Sequence, residues 1–145
     1  MINKEIESMK KLNTILEGID YIGSADDRVI TGVFYDSRKI KKDSLFIAIK
    51  GFNVDGHNYI DQAIELGANS ILIDRNIDQK HPIPLLKVEN TRKAMSRIAS
   101  NFFNGCSKNI NITAITGTNG KTSITHLVNH IFQFNNYSTS SLGTL

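Results

Sequence analysis

The chain has 145 residues, the size of one ordinary domain, and its 40% hydrophobic and 21% charged residues are a normal globular balance. Its net charge of +3 comes from scattered residues without a basic stripe, which argues against nucleic-acid binding and favours small anions such as nucleotides. A single cysteine, Cys106, excludes an intramolecular disulfide, and no apolar run is long enough to cross a bilayer. We expect a cytoplasmic protein that binds neither nucleic acid nor membrane.

The first two thirds of the chain predict a small α/β domain. Strands are predicted at residues 29–35, 44–49, 70–73 and 84–88, and helices at residues 2–16, 59–66 and 91–103. The helices follow from apolar side chains at helical spacing, with Gly67 ending the second helix and Thr91 capping the third. This alternation of strands and helices indicates an α/β fold that is complete by about residue 104.

Residues 104–109 are rich in asparagine and small residues and predict a linker to a second unit. This unit has the pattern of a strand, a glycine-containing loop, a helix and a strand at residues 110–116, 117–122, 123–134 and 137–141. The predicted domains are therefore residues 1–108 and residues 109–145, the latter being the first βαβ part of a P-loop domain. Because a parallel sheet needs helices over both faces, the second domain is either truncated or smaller than its pattern suggests.

The sequence TGTNGKT at residues 116–122 lies between the predicted strand and helix of the second unit, where a phosphate-binding loop is expected. In such a loop, backbone N–H groups and the helix N-terminus converge on phosphate oxygens, and Gly117 and Gly120 let the backbone turn tightly. Lys121 is predicted to reach the β- and γ-phosphates, and the Thr122 hydroxyl to hold Mg²⁺. Ile115 stands where the general Walker pattern has its first glycine, so the motif has the shorter Gly-x-x-Gly-Lys-Thr form.

Two further motifs are weak on their own. Asp-Ser-Arg at residues 36–38 is a common turn sequence, and residues 50–57 contain an Asp-Gly pair that predicts a turn between a strand and a helix. His57, beside that turn, is expected to be structural rather than catalytic. The other histidines form no ligand cluster, so phosphate-bound Mg²⁺ is the only metal expected.

In their order and spacing, these segments resemble the N-terminal part of a Mur ligase. The resemblance extends over nearly the whole chain and rests on Asp36-Ser37-Arg38, residues 43–48, Gly51, Asp55-Gly56-His57, Ala63, Gly67-Ala68 and residues 116–123. Within the family, the chain is most similar to the ligases that add the third amino acid to UDP-MurNAc-L-Ala-D-Glu in peptidoglycan synthesis. The ligases for L-alanine and D-glutamate begin with a dinucleotide-like glycine fingerprint, which this chain does not have.

The resemblance implies an ATP-dependent enzyme that converts a substrate carboxylate to an acyl phosphate, which the incoming amine then attacks. It implies that the first domain binds the uridine end of UDP-MurNAc-L-Ala-D-Glu, at positions matching Tyr35, Ser37, Phe52, Asn53 and Val54. It implies that ATP lies on the second domain, at Gly117, Thr118, Asn119, Gly120, Lys121, Thr122 and Ser123. Lys121 is the catalytic residue in this interpretation, Thr122 holds Mg²⁺, and the full-length protein is a monomer.

Several alternatives stay open. The ligases that add D-alanyl-D-alanine share the Asp-Ser-Arg and Asp-Gly-His features, but typically have serine at the position of Thr118 and lack the Gly143-Thr144 pair. A non-catalytic module that binds UDP-sugars or nucleotides is the second alternative, and a small P-loop phosphotransferase is the third. The family's other catalytic groups correspond to sequence beyond Leu145, so the resemblance leaves diaminopimelate and lysine open and implies that this chain alone is inactive.

Overall fold

The structure is a computed structural model that describes residues 9–143. Its strands are β1 (Lys10–Lys11), β2 (Val29–Ile30), β3 (Gly32–Phe34), β4 (Ser44–Ile47), β5 (Ala68–Ile73) and β6 (Leu85–Lys87). Its α-helices are α1 (Leu12–Ile15), α2 (Ile60–Glu65), α3 (Thr91–Phe102) and α4 (Lys121–Phe134), and short 3-10 helices occur at Ser37–Lys39, Gly56–Tyr59 and Cys106–Asn109. The chain divides into two compact units, Met1–Asn109 and Ile110–Leu145.

The centre of the first unit is a four-stranded sheet in the order β3-β4-β5-β6, in which every neighbouring pair is parallel. Val33 pairs with Leu45 between β3 and β4, and Ile71 pairs with Leu85 between β5 and β6. The outer edge of β6 is covered where Ile22 forms an antiparallel bridge with Lys87. The predicted mixed α/β fold is therefore confirmed, with a parallel sheet at its centre.

Both faces of this sheet are covered, which explains why its strands are apolar at successive positions. Leu45 and Ile47 of β4 belong to a buried cluster that includes residues of α1 and α3. Phe46, between them, belongs to a second cluster with Ile60 and Ala63 of α2. Because side chains alternate between the faces of a strand, the first unit is a three-layer arrangement of helix, sheet and helix.

The prediction of a helix at residues 2–16 is wrong over much of the part that the structure describes, and residues 2–8 lie outside that part. β1 pairs antiparallel with β2, so the backbone is extended at Lys10 and Lys11. Only Leu12–Ile15 are helical, and Leu12 donates its N–H to the carbonyl of Arg28 at 2.9 Å. The pairing of Lys10 and Lys11 with β2 thus outweighs the helical spacing of the apolar residues in this segment.

Helix α3 is present at its predicted position, but the prediction that Thr91 caps it is wrong. Asn90 is the cap, because its Oδ1 accepts a hydrogen bond from the N–H of Lys93 at 2.9 Å. Thr91 is the first helical residue, and its hydroxyl donates instead to Asp74 Oδ2 at 3.0 Å. The Thr91 side chain therefore joins α3 to the end of β5, a role that local spacing does not show.

The second unit contains α4 but neither of its predicted strands. Residues 110–116 and 137–141 have no ladder partner within residues 9–143, and an isolated segment cannot remain a strand without one. Helix α4 buries none of its residues, although Ile124, Leu127 and Ile131 lie at helical spacing. The predicted βαβ unit is thus reduced to one helix with irregular flanks.

No helix in the described part of the chain is long and apolar enough to span a membrane.

Candidate nucleotide-binding sites

The first unit brings several of the predicted site residues to one edge of its sheet. Because the strands are parallel, their carboxyl ends share this edge, which is where open α/β sheets bind ligands. Tyr35 follows β3 directly, residues 48–57 follow β4, and Asp74 follows β5. The two segments predicted to contact uridine therefore leave neighbouring strands at the same edge.

The turn after β3 is held by Asp36, which caps the 3-10 helix Ser37–Lys39. The Arg38 guanidinium donates to both carboxylate oxygens of Asp36 at 2.9 Å, and the Arg38 backbone N–H donates to Oδ1 at 3.1 Å. These bonds hold the pKa of Asp36 at about 2, and the hydrogen bonds from the Arg38 guanidinium have the largest effect. Asp36 is therefore ionised at neutral pH and the turn has a fixed shape.

Two predicted uridine contacts, Tyr35 and Ser37, differ in exposure. Ser37 is buried, and its hydroxyl donates to Gln62 Oε1 of α2 at 2.9 Å. A hydroxyl that donates in this way keeps lone pairs with which it can accept a hydrogen bond. Tyr35 is 65% exposed, so its ring can contact a planar ligand. Gln62 was not predicted, since nothing in the sequence links it to a residue 25 positions earlier.

The segment after β4, residues 49–56, forms a narrow hairpin that we call the edge hairpin. The Gly56 N–H donates to the Ile49 carbonyl at 2.9 Å, and the Gly51 N–H donates to the Val54 carbonyl at 2.8 Å. A Cβ at Gly56 would lie 2.7 Å from the Ile49 nitrogen, so the hairpin requires glycine there. Its tip contains the predicted contacts Phe52, Asn53 and Val54, all of which are exposed, with Phe52 at 103%.

The base of the edge hairpin is joined to its surroundings through Asp55. The carboxylate accepts hydrogen bonds from the guanidinium of Arg75 and from the backbone N–H of His57, and the His57 ring lies 2.8 Å away. Burial raises the pKa of Asp55, but the bonds from Arg75 and His57 outweigh burial and lower it overall. His57 is buried, and its other ring nitrogen faces Asp74. The expectation that His57 is structural fits this placement.

Asp74 and Arg75 were not among the predicted site residues. A signal for Asp74 is present in the sequence, because it follows the apolar run of β5 directly and so lies at the carboxyl end of a parallel strand. No comparable signal exists for Arg75, whose contact with Asp55 spans 20 residues of chain. Tertiary structure alone brings that pair together.

In the second unit, the predicted phosphate-binding loop leads into the N-terminus of α4. Gly117 has a φ of +153° and Gly120 a φ of +77°, backbone conformations that favour glycine. Gly120 is the N-cap of α4 and provides no side-chain cap, so the first-turn N–H groups, including those of Thr122 and Ser123, are left to an external acceptor. Those donors and the helix dipole form a site for an anion.

The side chains of this loop fit a nucleoside triphosphate with Mg²⁺. The Lys121 ammonium donates to the carbonyls of Gly117 and Thr118 at 2.5 and 3.3 Å, which places a positive charge over the loop. Thr118, Asn119, Thr122 and Ser123 are all exposed. Residues 9–143 contain no group of three or more His, Cys, Asp or Glu side chains that could hold a metal ion. A metal at this loop would therefore depend on the Thr122 hydroxyl together with phosphate oxygens.

The chain belongs to the Mur ligase family, since the family described as "Mur ligase family, catalytic domain" matches residues 29–103. It is 44% identical over 137 residues to the UDP-N-acetylmuramoyl-L-alanyl-D-glutamate–2,6-diaminopimelate ligase of Clostridioides difficile (strain 630). A protein of the same name from Fusobacterium nucleatum is 42% identical over 117 residues. The chain spans 28% of the length of the Clostridioides difficile protein, which in turn matches 93% of this chain.

Solved structures of the family have the same fold. MurF from Acinetobacter baumannii matches with a TM-score of 0.69 and 22% identity, over 87% of this chain and 28% of that chain. The MurF ligase from Thermotoga maritima, solved in complex with ADP, matches with a TM-score of 0.54 and 24% identity, over 70% of this chain and 23% of that chain. At these identities the likeness concerns the fold alone.

Proposed function

We propose that this chain is the N-terminal part of an ATP-dependent ligase that adds the third amino acid to UDP-MurNAc-L-Ala-D-Glu. The observation that carries the proposal is its 44% identity, over 93% of the chain, to a protein named as the diaminopimelate-adding ligase. That name also favours diaminopimelate over lysine as the amino acid. The residues that select the amino acid would lie in the part of the relatives that this chain does not cover.

In this proposal the two units have different ligands. Residues 1–108 form the domain for the UDP-linked substrate, with Tyr35, Ser37 and residues 52–54 around the uridine at the carboxyl edge of the sheet. The exposed aromatic rings of Tyr35 and Phe52 are suited to a planar base, and the Ser37 hydroxyl to its polar groups. Residues 109–145 begin the ATP-binding domain.

The loop at the start of α4 is proposed to bind the phosphates of Mg-ATP. Bound ATP supplies the phosphoryl group that activates the substrate carboxylate. The chain's own contribution is positional and electrostatic: the first-turn N–H groups of α4 orient the phosphates, and the Lys121 ammonium neutralises charge that develops on them. Thr122 orients the metal through its hydroxyl. Phosphoryl transfer at such a loop depends on the position and charge of the groups around the phosphates more than on a covalent bond to the protein.

The proposal predicts that Lys121→Ala, in a full-length protein that carries this chain, lowers ligation by at least about 100-fold, because a preorganised charge at the phosphates is lost. The fold should be unaffected, since Lys121 is exposed and contacts only its own loop. Product formation from UDP-MurNAc-L-Ala-D-Glu, ATP and diaminopimelate measures the effect. The matched control is Lys80→Ala, which removes another exposed lysine from a different part of the chain. Activity within about tenfold of wild type would contradict the role of this loop.

The same assay separates the proposal from its nearest rival. The ligase that adds D-alanyl-D-alanine has the same fold, as the Acinetobacter baumannii structures show. Offering UDP-MurNAc-tripeptide with D-alanyl-D-alanine in place of the dipeptide substrate and diaminopimelate should yield no product. Turnover of that pair alone would assign the chain to the rival ligase. Binding of UDP without turnover of either pair would favour a non-catalytic module.

A further inference from the structure

The imidazole of His57 is buried, with 3% of its side chain exposed, and its turn does not need that side chain. Asp55 caps the 3-10 helix Gly56–Tyr59 by accepting the backbone N–H of His57 at 3.0 Å, and any residue except proline could donate this bond. Burying an imidazole is unfavourable unless its nitrogens are hydrogen-bonded. The ring must therefore be held by contacts that the turn alone does not explain.

Both nitrogens of the His57 ring face hydrogen-bonding groups in different parts of the fold. Nδ1 lies 2.8 Å from Asp55 Oδ1 at the base of the edge hairpin. Nε2 lies 3.4 Å from the backbone nitrogen of Asp74 and 3.3 Å from its Oδ1, at the end of β5. A proton on Nδ1 can be donated to Asp55, and Nε2 faces both the backbone N–H and the carboxylate of Asp74.

The connection continues from Asp74 into α3. Asp74 Oδ2 accepts a hydrogen bond from the Thr91 hydroxyl at 3.0 Å. Arg92, the next residue of α3, donates to the Lys50 carbonyl at 3.2 Å, on the other strand of the edge hairpin. The base of the edge hairpin is therefore joined to β5 through His57, which follows its second strand, and to α3 through the bond from Arg92 to Lys50 in its first strand.

We propose that His57 is a positioning residue for nucleotide binding, whose ring fixes the edge hairpin to β5 and α3 and thereby sets the place of Phe52 and Asn53. The Phe52 side chain is fully exposed, so the tip depends on the base of the hairpin for its position. A tip that is ordered beforehand loses less conformational entropy when it contacts a base. This inference rests on the uridine site proposed above.

Two substitutions separate the bridging role of the ring from simple capping. In His57→Asn, the side-chain amide can replace the Nδ1 bond to Asp55 but is too short to reach Asp74. In His57→Gln, the longer amide can reach Asp74 but does not keep the bond to Asp55. Both variants retain the backbone N–H that Asp55 accepts, so the cap persists in each. His130→Gln on α4 is the matched control, because that histidine is exposed.

The experiment uses the whole chain and measures two quantities on each folded variant. Hydrogen exchange at the Gly51 and Gly56 amides, which close the edge hairpin, should be about tenfold faster in both His57 variants, because the hairpin opens more often. The UDP dissociation constant, measured by calorimetry, should rise about tenfold in both variants, since the tip must then be ordered on binding. Nitrogen NMR of the wild-type ring should show the proton on Nδ1.

The outcomes distinguish this inference from the function on which it rests. Wild-type exchange rates and UDP affinity in His57→Asn would overturn it, since the cap alone would then suffice. Unchanged exchange in both variants would overturn it whatever the binding result. If the wild-type chain binds no UDP, the proposed uridine site is wrong and the nucleotide role of His57 with it, while faster exchange would still show that the ring holds the hairpin.

Discussion

At the scale of single residues, two arginine–aspartate pairs carry charges at the edge of the sheet where the strands have their carboxyl ends. Arg38 pairs with Asp36 after β3, and Arg75 pairs with Asp55 in the edge hairpin. Each arginine lowers the pKa of its partner, so both carboxylates are ionised at neutral pH. A guanidinium has five N–H donors, and these pairs use only some of them. The edge thus offers donors to an anionic ligand while its charges are locally balanced.

We expect Arg38→Gln to move the NMR titration midpoint of the Asp36 carboxyl from about 2 towards the ordinary value of 3.8. Because the folded pKa lies below the unfolded one, the stabilisation from this pair is present above pH 3.8 and is lost as the pH falls through about 2. The Arg38 side chain is 83% exposed, so the effect of the pair on stability is small and the titration is the better measurement. Arg92→Gln should leave the midpoint unchanged. A midpoint that stays near 2 in Arg38→Gln would assign the shift to the backbone N–H instead.

At the scale of elements, the turn from α2 into β5 depends on Gly67 for two reasons. Its φ of +108° is strained for any residue with a Cβ, as expected for a glycine that ends a helix. A Cβ there would also lie 2.9 Å from the Lys42 Cα, because the Gly67 carbonyl accepts the Asp43 N–H at 2.8 Å. The turn is thus packed against the segment that leads into β4.

We expect Gly67→Ala to lower the free energy of unfolding by about 2–4 kcal/mol, since the substitution combines backbone strain with a backbone clash. Gly105→Ala is the matched control: its φ is +63°, but its nearest neighbour is the flexible Lys108 side chain at 3.4 Å. Backbone strain alone should cost that variant about 1 kcal/mol. Urea unfolding measures both variants. Equal losses would show that the contact with Lys42 relaxes without cost.

At the scale of the whole molecule, the two units differ in how much core they contain. The first unit has buried clusters on both faces of its sheet. The helix of the second unit buries no residue, and every residue of its loop from Gly117 to Ser123 is exposed. A site is held in place by the packing behind it, so the first unit offers the better ordered ligand site.

We therefore expect the chain to bind UDP or UDP-MurNAc-L-Ala-D-Glu more tightly than Mg-ATP. The proposed uridine contacts lie in segments that follow strands of a packed sheet, whereas the loop at α4 must lose conformational entropy when it orders around phosphates. Titration calorimetry of UDP and of Mg-ATP under the same conditions measures the difference. Lys121→Ala should weaken only the ATP titration, which controls for non-specific binding. Tighter binding of Mg-ATP than of UDP would contradict the assignment of the two units.

Much of the first unit was predictable from the sequence because its signals are local. The apolar runs of β4 and β5, the helical period of α3 and the turn sequences near Asp36 and Asp55 all depend on neighbours a few residues away. Apart from the cap of α3, the wrong predictions concern strand pairing. Residues 10–11 join β2, and residues 110–116 join no strand in the described part of the chain, because a ladder requires a partner that period and composition do not specify.

The candidate sites divide in the same way. The sequence alone predicted the proposed phosphate-binding loop at the start of α4, since glycines, lysine and threonine at a set spacing before a helix indicate such a loop. It also determined that residues 36–38 and 50–57 are turns. Only the tertiary structure placed those turns at one sheet edge and joined Asp55, His57 and Asp74 with Thr91 of α3. The reason is that hydrogen bonds between residues far apart in the chain depend on strand order, which the folded sheet alone decides.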